Sequence, residues 1–372
     1  MFLPALPHVR HAFAVDEATA QLTFSLAVMV MAFATLAYGS LSDQYGRLPV
    51  LLAGLALFSL GAVVAVIAPS IVILISGRLL QGAGAACGLV LARAIIRDVY
   101  GLNKLGKMIA YLTAAYVIGP LTAPVIGGLL TDHFGWRSIL ILPAIFGVVA
   151  MIVALIIIGE TRSPSTTLQP SMIDSYRRLF GKRLFNLYAF SPAFGSGAFF
   201  SLATAAAYLT IEVLGRSTTE FGLFFMFGPA GYLVGNYLSG RLDGRFSRSF
   251  LIILGSIISV VGTAVLIGLT TAVGITMFGL FGPYAILSLG QGLVMPHSQA
   301  AAIAQEPTLT GTASGIVVFL QFMFIAGFTQ LVSALSDGTA IPMLVVVAAC
   351  TVLSFVCSIS AVTLSKRRLT VC

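Results

Sequence analysis

Arg78 is a charge in an apolar setting, inside a stretch that runs from about Ile71 to Ala92. An arginine facing lipid costs about 2.5–3.5 kcal/mol on insertion scales, so an intramembrane arginine is by default a candidate for work on a substrate or ion path. The competing reading is a helix-end arginine that snorkels to the headgroups, because Pro69 precedes it closely. Asp43 and Arg47, flanked by Gly39 and Gly46, form a second group. They read either as a solvated turn or as a latch: the glycines permit close helix approach, Arg47 could pair with Asp98, and Asp43 could face a helix N-terminus, where negative charge is favoured. A third group is Gly119-Pro120 with Ala123-Pro124-Val125-Ile126-Gly127-Gly128, which puts small residues and two prolines into one kinked, close-packed helix. Gln81, Tyr116, Asn186, Tyr188, Asn236, Gln291 and Gln321 are polar groups within apolar runs and are candidates to line a cavity, with Tyr208, Phe194, Phe319 and Phe322 beside them. With 26 Phe in the chain, lipid-facing or core Phe is the commoner case.

The elements that must position these residues follow from composition. Of 372 residues 58% are hydrophobic and 9% charged, with a mean hydropathy of +1.04. A soluble domain carries about 25% charged residues, so the water-soluble classes are excluded. The net charge of +8 is dispersed and does not indicate nucleic-acid binding. Cys87, Cys350, Cys357 and Cys372 sit in or beside apolar runs without metal or redox spacing. His8, His11 and His133 show no metal spacing either, and His297 reads as a helix-end residue. The opening residues lack the pattern of a cleaved signal peptide.

Neutral windows divide the chain into eleven expected spans near 19–38, 49–68, 71–95, 107–130, 138–159, 184–211, 220–240, 250–270, 273–296, 309–335 and 341–364. All are expected to be helical, since alternating barrel strands are absent. With Lys366-Arg367-Arg368 placed inside, sixteen of the twenty Lys and Arg fall on the cytoplasmic side, which puts the C-terminus in the cytoplasm.

The polar stretch 161–183 divides an N-terminal bundle, 1–160, from a six-helix bundle, 184–372. Gly39–Arg47 and Gly240–Arg248 both fit G-x-L-x-x-x-[YF]-x-R, 201 residues apart, as in transporters built from parallel repeats. The repeat then calls for a helix before residue 18, where Met1–Leu6 is too short to span. Either the natural start lies upstream or the chain is a natural truncation.

These motifs together resemble the major facilitator superfamily, and within it the bicyclomycin-resistance (Bcr/CflA) type of drug/proton antiporters. Gly39-Ser40-Leu41-Ser42-Asp43-Gln44-Tyr45-Gly46-Arg47 matches that family's G-x-L-x-D-x-x-G-R loop. Arg78-Leu79-Leu80-Gln81-Gly82-Ala83-Gly84 matches its helix-4 motif, and Ala123-Pro124-Val125-Ile126-Gly127-Gly128 its helix-5 antiporter motif, with Ala for the usual first Gly. Phe2–Pro7 resembles the end of helix 1, and Arg97-Asp98 and Gly135-Trp136-Arg137 also fit.

The resemblance implies an all-α integral membrane protein of two pseudo-symmetric six-helix bundles around a midplane cavity, with helix 1 of the first bundle truncated. It implies a monomer in the bacterial inner membrane that exports drug-like small molecules in exchange for protons, using no cofactor or metal. Arg78 would act in proton coupling by tuning a nearby carboxylate. Gly39, Asp43, Gly46, Arg47 and Asp98 would form a cytoplasmic gate, and the helix carrying Gly119 to Gly128 would seal the seam between halves. The chain departs from its relatives in that no Asp or Glu lies in the middle of a span. Uptake of a sugar or organic acid by the same fold, and a transport-inactive truncated relative, are the alternatives. No P-loop, H-E-x-x-H or G-x-S-x-G occurs, which argues against ATP-driven transport or an enzyme.

Overall fold

The computed structural model describes residues 2–161 and 172–371; at 101–107, 109–111, 113–118, 172–173 and 367–371 only the backbone is described. Among the described residues every regular element is a helix. In chain order these are α1 (Leu6–Phe13), α2 (Glu17–Tyr45), α3 (Arg47–Val66), α4 (Ile71–Phe134), α5 (Ser138–Ile157), α6 (Met172–Phe180), α7 (Arg183–Tyr208), α8 (Thr218–Phe225), α9 (Phe227–Leu242), α10 (Arg248–Val273), α11 (Met277–Ile303), α12 (Thr310–Ala334) and α13 (Ile341–Val371). Side-chain caps start several of them. Asp16 accepts from Thr19 N at 2.8 Å before α2, and Thr276 from Gly279 N at 3.1 Å before α11.

Nine helices among the described residues are long and apolar enough to cross a membrane. Three of the eleven expected windows do not map one to one onto helices. The windows 71–95 and 107–130 belong to one helix of 64 residues, α4. Charges mark where a chain leaves hydrocarbon, but they do not end a helix, and no proline lies between Arg93 and Lys107 to do so. The window 220–240 is divided into α8 and α9 at Met226. Pro229 supplies the cause, because it has no N–H to offer a carbonyl four residues back, at Phe225. Ahead of α2, a 3₁₀ turn (Leu3–Ala5) leads into α1, and Phe2, Leu3, Ala5, Leu6 and Val9 are buried.

The chain forms two compact units. Unit 1 comprises Met1–Thr167 and Ser217–Gly222, and unit 2 comprises Leu168–Arg216 and Leu223–Cys372. In unit 1, α3 packs against α4 and α5, while α2 packs against α4. In unit 2, α11 packs against α7, α9 and α10, and α7 also contacts α12 and α13. The α5 helix leaves Ile145, Phe146, Val149, Ile152 and Ile156 exposed, as a lipid-facing helix must.

Glycines set how closely the helices approach. A Cβ at Gly61 of α3 would lie 2.3 Å from the backbone N of Gln81, and one at Gly84 of α4 would lie 2.3 Å from the backbone N of Phe58. Unit 2 does the same: a Cβ at Gly262 of α10 would lie 2.6 Å from Leu287 N, and one at Gly290 of α11 would lie 2.4 Å from Gly255 O. Gly255 and Gly262 follow Gly54 and Gly61 by 201 residues, the separation of the G-x-L repeat. The pair α3/α4 and the pair α10/α11 are thus built on the same small-residue step.

Gly61→Ala and Gly84→Ala should each destabilise the folded protein by about 1–3 kcal/mol, because the added methyl meets backbone that cannot rotate away. Gly39→Ala, whose Cβ would meet nothing within 4 Å, should leave stability within about 0.5 kcal/mol. Thermal unfolding in detergent separates the two outcomes.

Candidate functional site

The first cluster forms where α2 turns into α3. Gly46 sits between them at φ +99°, a conformation that favours glycine, and this brings the Arg47 side chain back toward α2. Arg47 Nη1 lies 2.7 Å from Asp43 Oδ1 and 2.5 Å from Ser42 Oγ, while Nε reaches Asp98 Oδ2 of α4 at 2.9 Å. The Arg47 and Asp98 side chains are 7% and 11% exposed, against 53% for Asp43, so the pair between helices is the desolvated one.

Glu160, just beyond α5, completes the cluster. Its Oε1 accepts from Arg47 N at 2.9 Å and its Oε2 from Leu48 N at 3.3 Å, placing a carboxylate on the N-terminus of α3. Asp43 was a candidate to face a helix N-terminus; its Oδ1 pairs with the Arg47 side chain, and Glu160 accepts from the N-terminus of α3. Glu160 was visible only as an acid at a span end, and nothing in its spacing marked a partner 113 positions away. At Gly39 an added Cβ would meet nothing within 4 Å.

Arg78, on α4, is held by uncharged groups. Its Nε donates to Thr23 O of α2 at 3.3 Å, its Nη1 donates to Gln81 Oε1, and its guanidinium lies 4.4 Å from the centre of the Phe2 ring. Among the described residues none of these partners is a carboxylate. Gln81 therefore serves as a partner of Arg78 and is buried.

The glycine-proline segment of α4 makes a third cluster with residues 217–222. A Cβ at Gly128 would lie 2.4 Å from Thr218 O, and one at Gly222 would lie 2.6 Å from Pro124 O. Gly127 O accepts from Thr131 Oγ1 at 2.7 Å. Pro120 and Pro124 both lie inside the helix, and Ala123 is half-buried. Gly119 and Pro120 are exposed, and a Cβ at Gly119 would meet nothing within 4 Å.

Asp132, one turn beyond Gly128, binds the start of α8. Its Oδ1 accepts from Thr218 N at 3.3 Å and from Thr218 Oγ1. Its Oδ2 accepts from Thr219 N at 2.8 Å and from Thr219 Oγ1 at 2.5 Å. Ser217 and Glu220 close a capping box on the same end: Glu220 N donates to Ser217 Oγ at 3.1 Å, and Ser217 N donates to Glu220 Oε2 at 3.0 Å. Burial works against the Asp132 charge, but the hydrogen bonds from Thr218 and Thr219 outweigh it and hold the carboxyl below its ordinary value. The S-x-x-E spacing of 217–220 could have marked this helix start; Asp132 carried no sequence signal.

The remaining cavity candidates lie in unit 2, except Tyr116, whose side chain is outside the described residues. Asn186 donates to Phe180 O at 2.7 Å and so ties α7 to the end of α6. Tyr188 is buried in an apolar core with Phe185, Leu179 and Ile316. Asn236 stands on α9 beside Gly292, whose added Cβ would lie 2.7 Å from its backbone N. Gln291 is buried with its amide against Gly195 of α7, where a Cβ would lie 1.9 Å from its Oε1. Gln321 is half-buried on α12. Phe194 joins Phe324 and Phe328 in an aromatic cluster between α7 and α12. His297 lies within α11, where its Nε2 is 2.9 Å from Ser239 Oγ of α9. The sequence did not single out Tyr284, which is fully buried and packs its ring 4.8 Å from that of Phe199. Among the described residues no group of His, Cys, Asp and Glu is arranged to hold a metal ion.

Apolar helices joined by small-residue steps, with a half-buried arginine inside one and an ion pair between two, fit a polytopic membrane transporter. The model of the Major Facilitator Superfamily matches residues 1–329, and the chain belongs to that family. It is 27% identical over 367 residues to a bicyclomycin resistance protein homolog of Haemophilus influenzae, covering 95% of this chain and 89% of that one. It is 29% identical over 324 residues to multidrug resistance protein D of Escherichia coli, with 86% and 81% covered. An uncharacterized MFS-type transporter of Bacillus subtilis is 27% identical, with 92% and 86% covered.

Asp98→Ala should cost about 1.5–3 kcal/mol, as expected for a buried hydrogen-bonded charge. Asp43→Ala, at an exposed pair, should cost at most about 1 kcal/mol; detergent unfolding compares them. Because the Asp132 carboxyl is held low, its contribution to stability is present above its ordinary value near 3.9 and lost as pH falls through its lower folded value. Asp132→Asn should therefore narrow the stability difference between neutral and acidic pH, as measured by unfolding over a pH series.

Proposed function

We propose that this protein is a proton-coupled exporter of drug-like small molecules in the bacterial inner membrane, working by alternating access as a monomer with its C-terminus in the cytoplasm. The observation that carries the reading is Arg78. It is a charged group held inside an apolar helix by a carbonyl, an amide and a ring, in a chain of a transporter family whose relatives here include a bicyclomycin resistance protein homolog and multidrug resistance proteins. Such a charge is costly in hydrocarbon and is retained where it acts on an ion or substrate path. The proton gradient is the energy source in this reading, and no cofactor takes part. The N-terminal bundle (1–160), linker (161–183) and C-terminal bundle (184–372) are the parts that exchange access.

The Arg47 cluster supports a gating role. Arg47 binds Asp98, Asp43 and Ser42 at once, while Glu160 fixes the start of the helix that carries it. The cluster ties the turn between α2 and α3 to α4 and to the end of α5, so in this reading it holds that end of the N-terminal bundle rigid as access changes. Gly39, in open space, contributes only the turn sequence to this gate. In the same reading the α4 segment from Gly119 to Gly128 seals against leak, with Gly128 as its close contact, and Tyr116, Asn236, Gln291 and Gln321 are the remaining candidates for substrate contact.

The test is dye efflux and drug susceptibility in a bacterial host lacking its major pumps, with a protonophore added to collapse the gradient. The expected result is gradient-dependent efflux that falls at least about tenfold in Arg78→Ala, at unchanged membrane insertion. Inserted protein that exports nothing across a broad panel of cationic and neutral compounds would move transport of a metabolite ahead of drug efflux.

A further inference from the structure

The start of α8 is held by a residue distant in the chain. Residues 217–222 lie with unit 1, while the chain on either side of them, through Arg216 and from Leu223 onward, lies with unit 2. What holds this segment within unit 1 is local and specific. Thr218 N, Thr218 Oγ1, Thr219 N and Thr219 Oγ1 all donate to the two oxygens of Asp132. Thr218 Oγ1 also reaches Gly128 O at 3.2 Å, and Gly222 packs on Pro124 O without room for a side chain.

The first backbone N–H groups of a helix have no partner within it and carry its positive end. At α8 the capping box within 217–220 uses the N–H groups of Ser217 and Glu220 and leaves those of Thr218 and Thr219 to an outside acceptor. Asp132 is that acceptor, and it is charged. A helix could be capped by its own Ser217 alone, so a charged second acceptor on another helix serves to hold α8 in place rather than to let it form.

We infer that Asp132 is a positioning residue for the access change, a carboxylate latch that binds the start of α8 in this state and must release it in another. This rests on the transporter reading above, because a latch needs an opposing state. Its release is mechanical rather than a titration: the carboxyl is held below its ordinary value and stays ionised at neutral pH. The two glycines have a separate role, since they permit the approach that the four hydrogen bonds then fix.

The experiment has a readout that needs no substrate. A reporter cysteine is placed at Val125, beside the point where Gly222 packs, and its modification by a charged maleimide is timed in detergent. Controls lacking the reporter account for Cys87, Cys350, Cys357 and Cys372. Asp132→Asn, which keeps the side chain's shape but loses the charge and one acceptor, should speed modification at least about fivefold. Asp132→Glu should restore much of the protection. Equal rates in wild type and Asp132→Asn would overturn the latch, whatever the protein transports. In a second arm, Asp132→Cys with Thr219→Cys is joined by a short, reducible thiol crosslinker. Gradient-dependent dye efflux should stop on crosslinking and return on reduction, and efflux at an undiminished rate through crosslinked protein would overturn the need for release. A wild-type protein that effluxes no probe at all would count against the proposed function, while the labelling rates would still decide the latch.

Discussion

Close approach of helix backbones at glycine is the constraint on which the rest of this structure depends. Lipid tails are as apolar as leucine, so helices in a bilayer gain little by hiding side chains from the surroundings and must gain by packing. Gly54, Gly61 and Gly84 bring α3 against α4, and Gly255, Gly262 and Gly290 bring α10 against α11. These contacts leave no room for a methyl, which fixes the rotation and height of each helix. Arg47 meets Asp98, and Arg78 meets Thr23 O, because that register is set by small residues elsewhere on the same helices.

Polar groups are then satisfied at the places where helices begin, end or cross. Among the described residues, carboxylates do this on helix N-termini, with Asp16 at α2, Glu160 at α3 and Asp132 at α8. The first is local in sequence, while the other two come from distant parts of the chain and so tie elements together. Lys182, between α6 and α7, plays a similar part, donating to Gln305 O at 2.7 Å and lying 2.5 Å from Glu306 Oε2. Hydrogen bonds from Lys182 and Thr308 hold the Glu306 carboxyl below its ordinary value. These ties cost little when intact and a great deal when one partner is left buried alone, which is what makes them suited to separating one state from another.

Much of the site was legible as motif and less of it as geometry. The pairing of Arg47 with Asp98 could be anticipated because both lie in recognisable motifs, and the place of Arg78 inside an apolar helix followed from the residues around it. The role of Glu160 was not legible: it depends on α5 returning beside the turn at Gly46, and no spacing within the sequence encodes that return. Asp132 was hidden for the same reason. Tyr188 and Asn186 are legible as polar groups within an apolar run, but the packing of Tyr188 in an apolar core and the bond from Asn186 to Phe180 O are set by the fold.

By itself the sequence determined that the chain is a helical membrane protein, because apolar runs of bilayer length with few charges have no other stable form. It also determined the repeat, through G-x-L-x-x-x-[YF]-x-R and the glycines that recur 201 residues later. Helix ends were a different matter. A charged stretch predicts where water begins, but α4 continues through Arg93–Lys107 because an α-helix satisfies its own backbone in either solvent, and α8 parts from α9 because one proline withholds one hydrogen bond. Only the tertiary structure decided which carboxylate holds which helix, since those choices depend on neighbours brought together across the fold and not on neighbours along the chain.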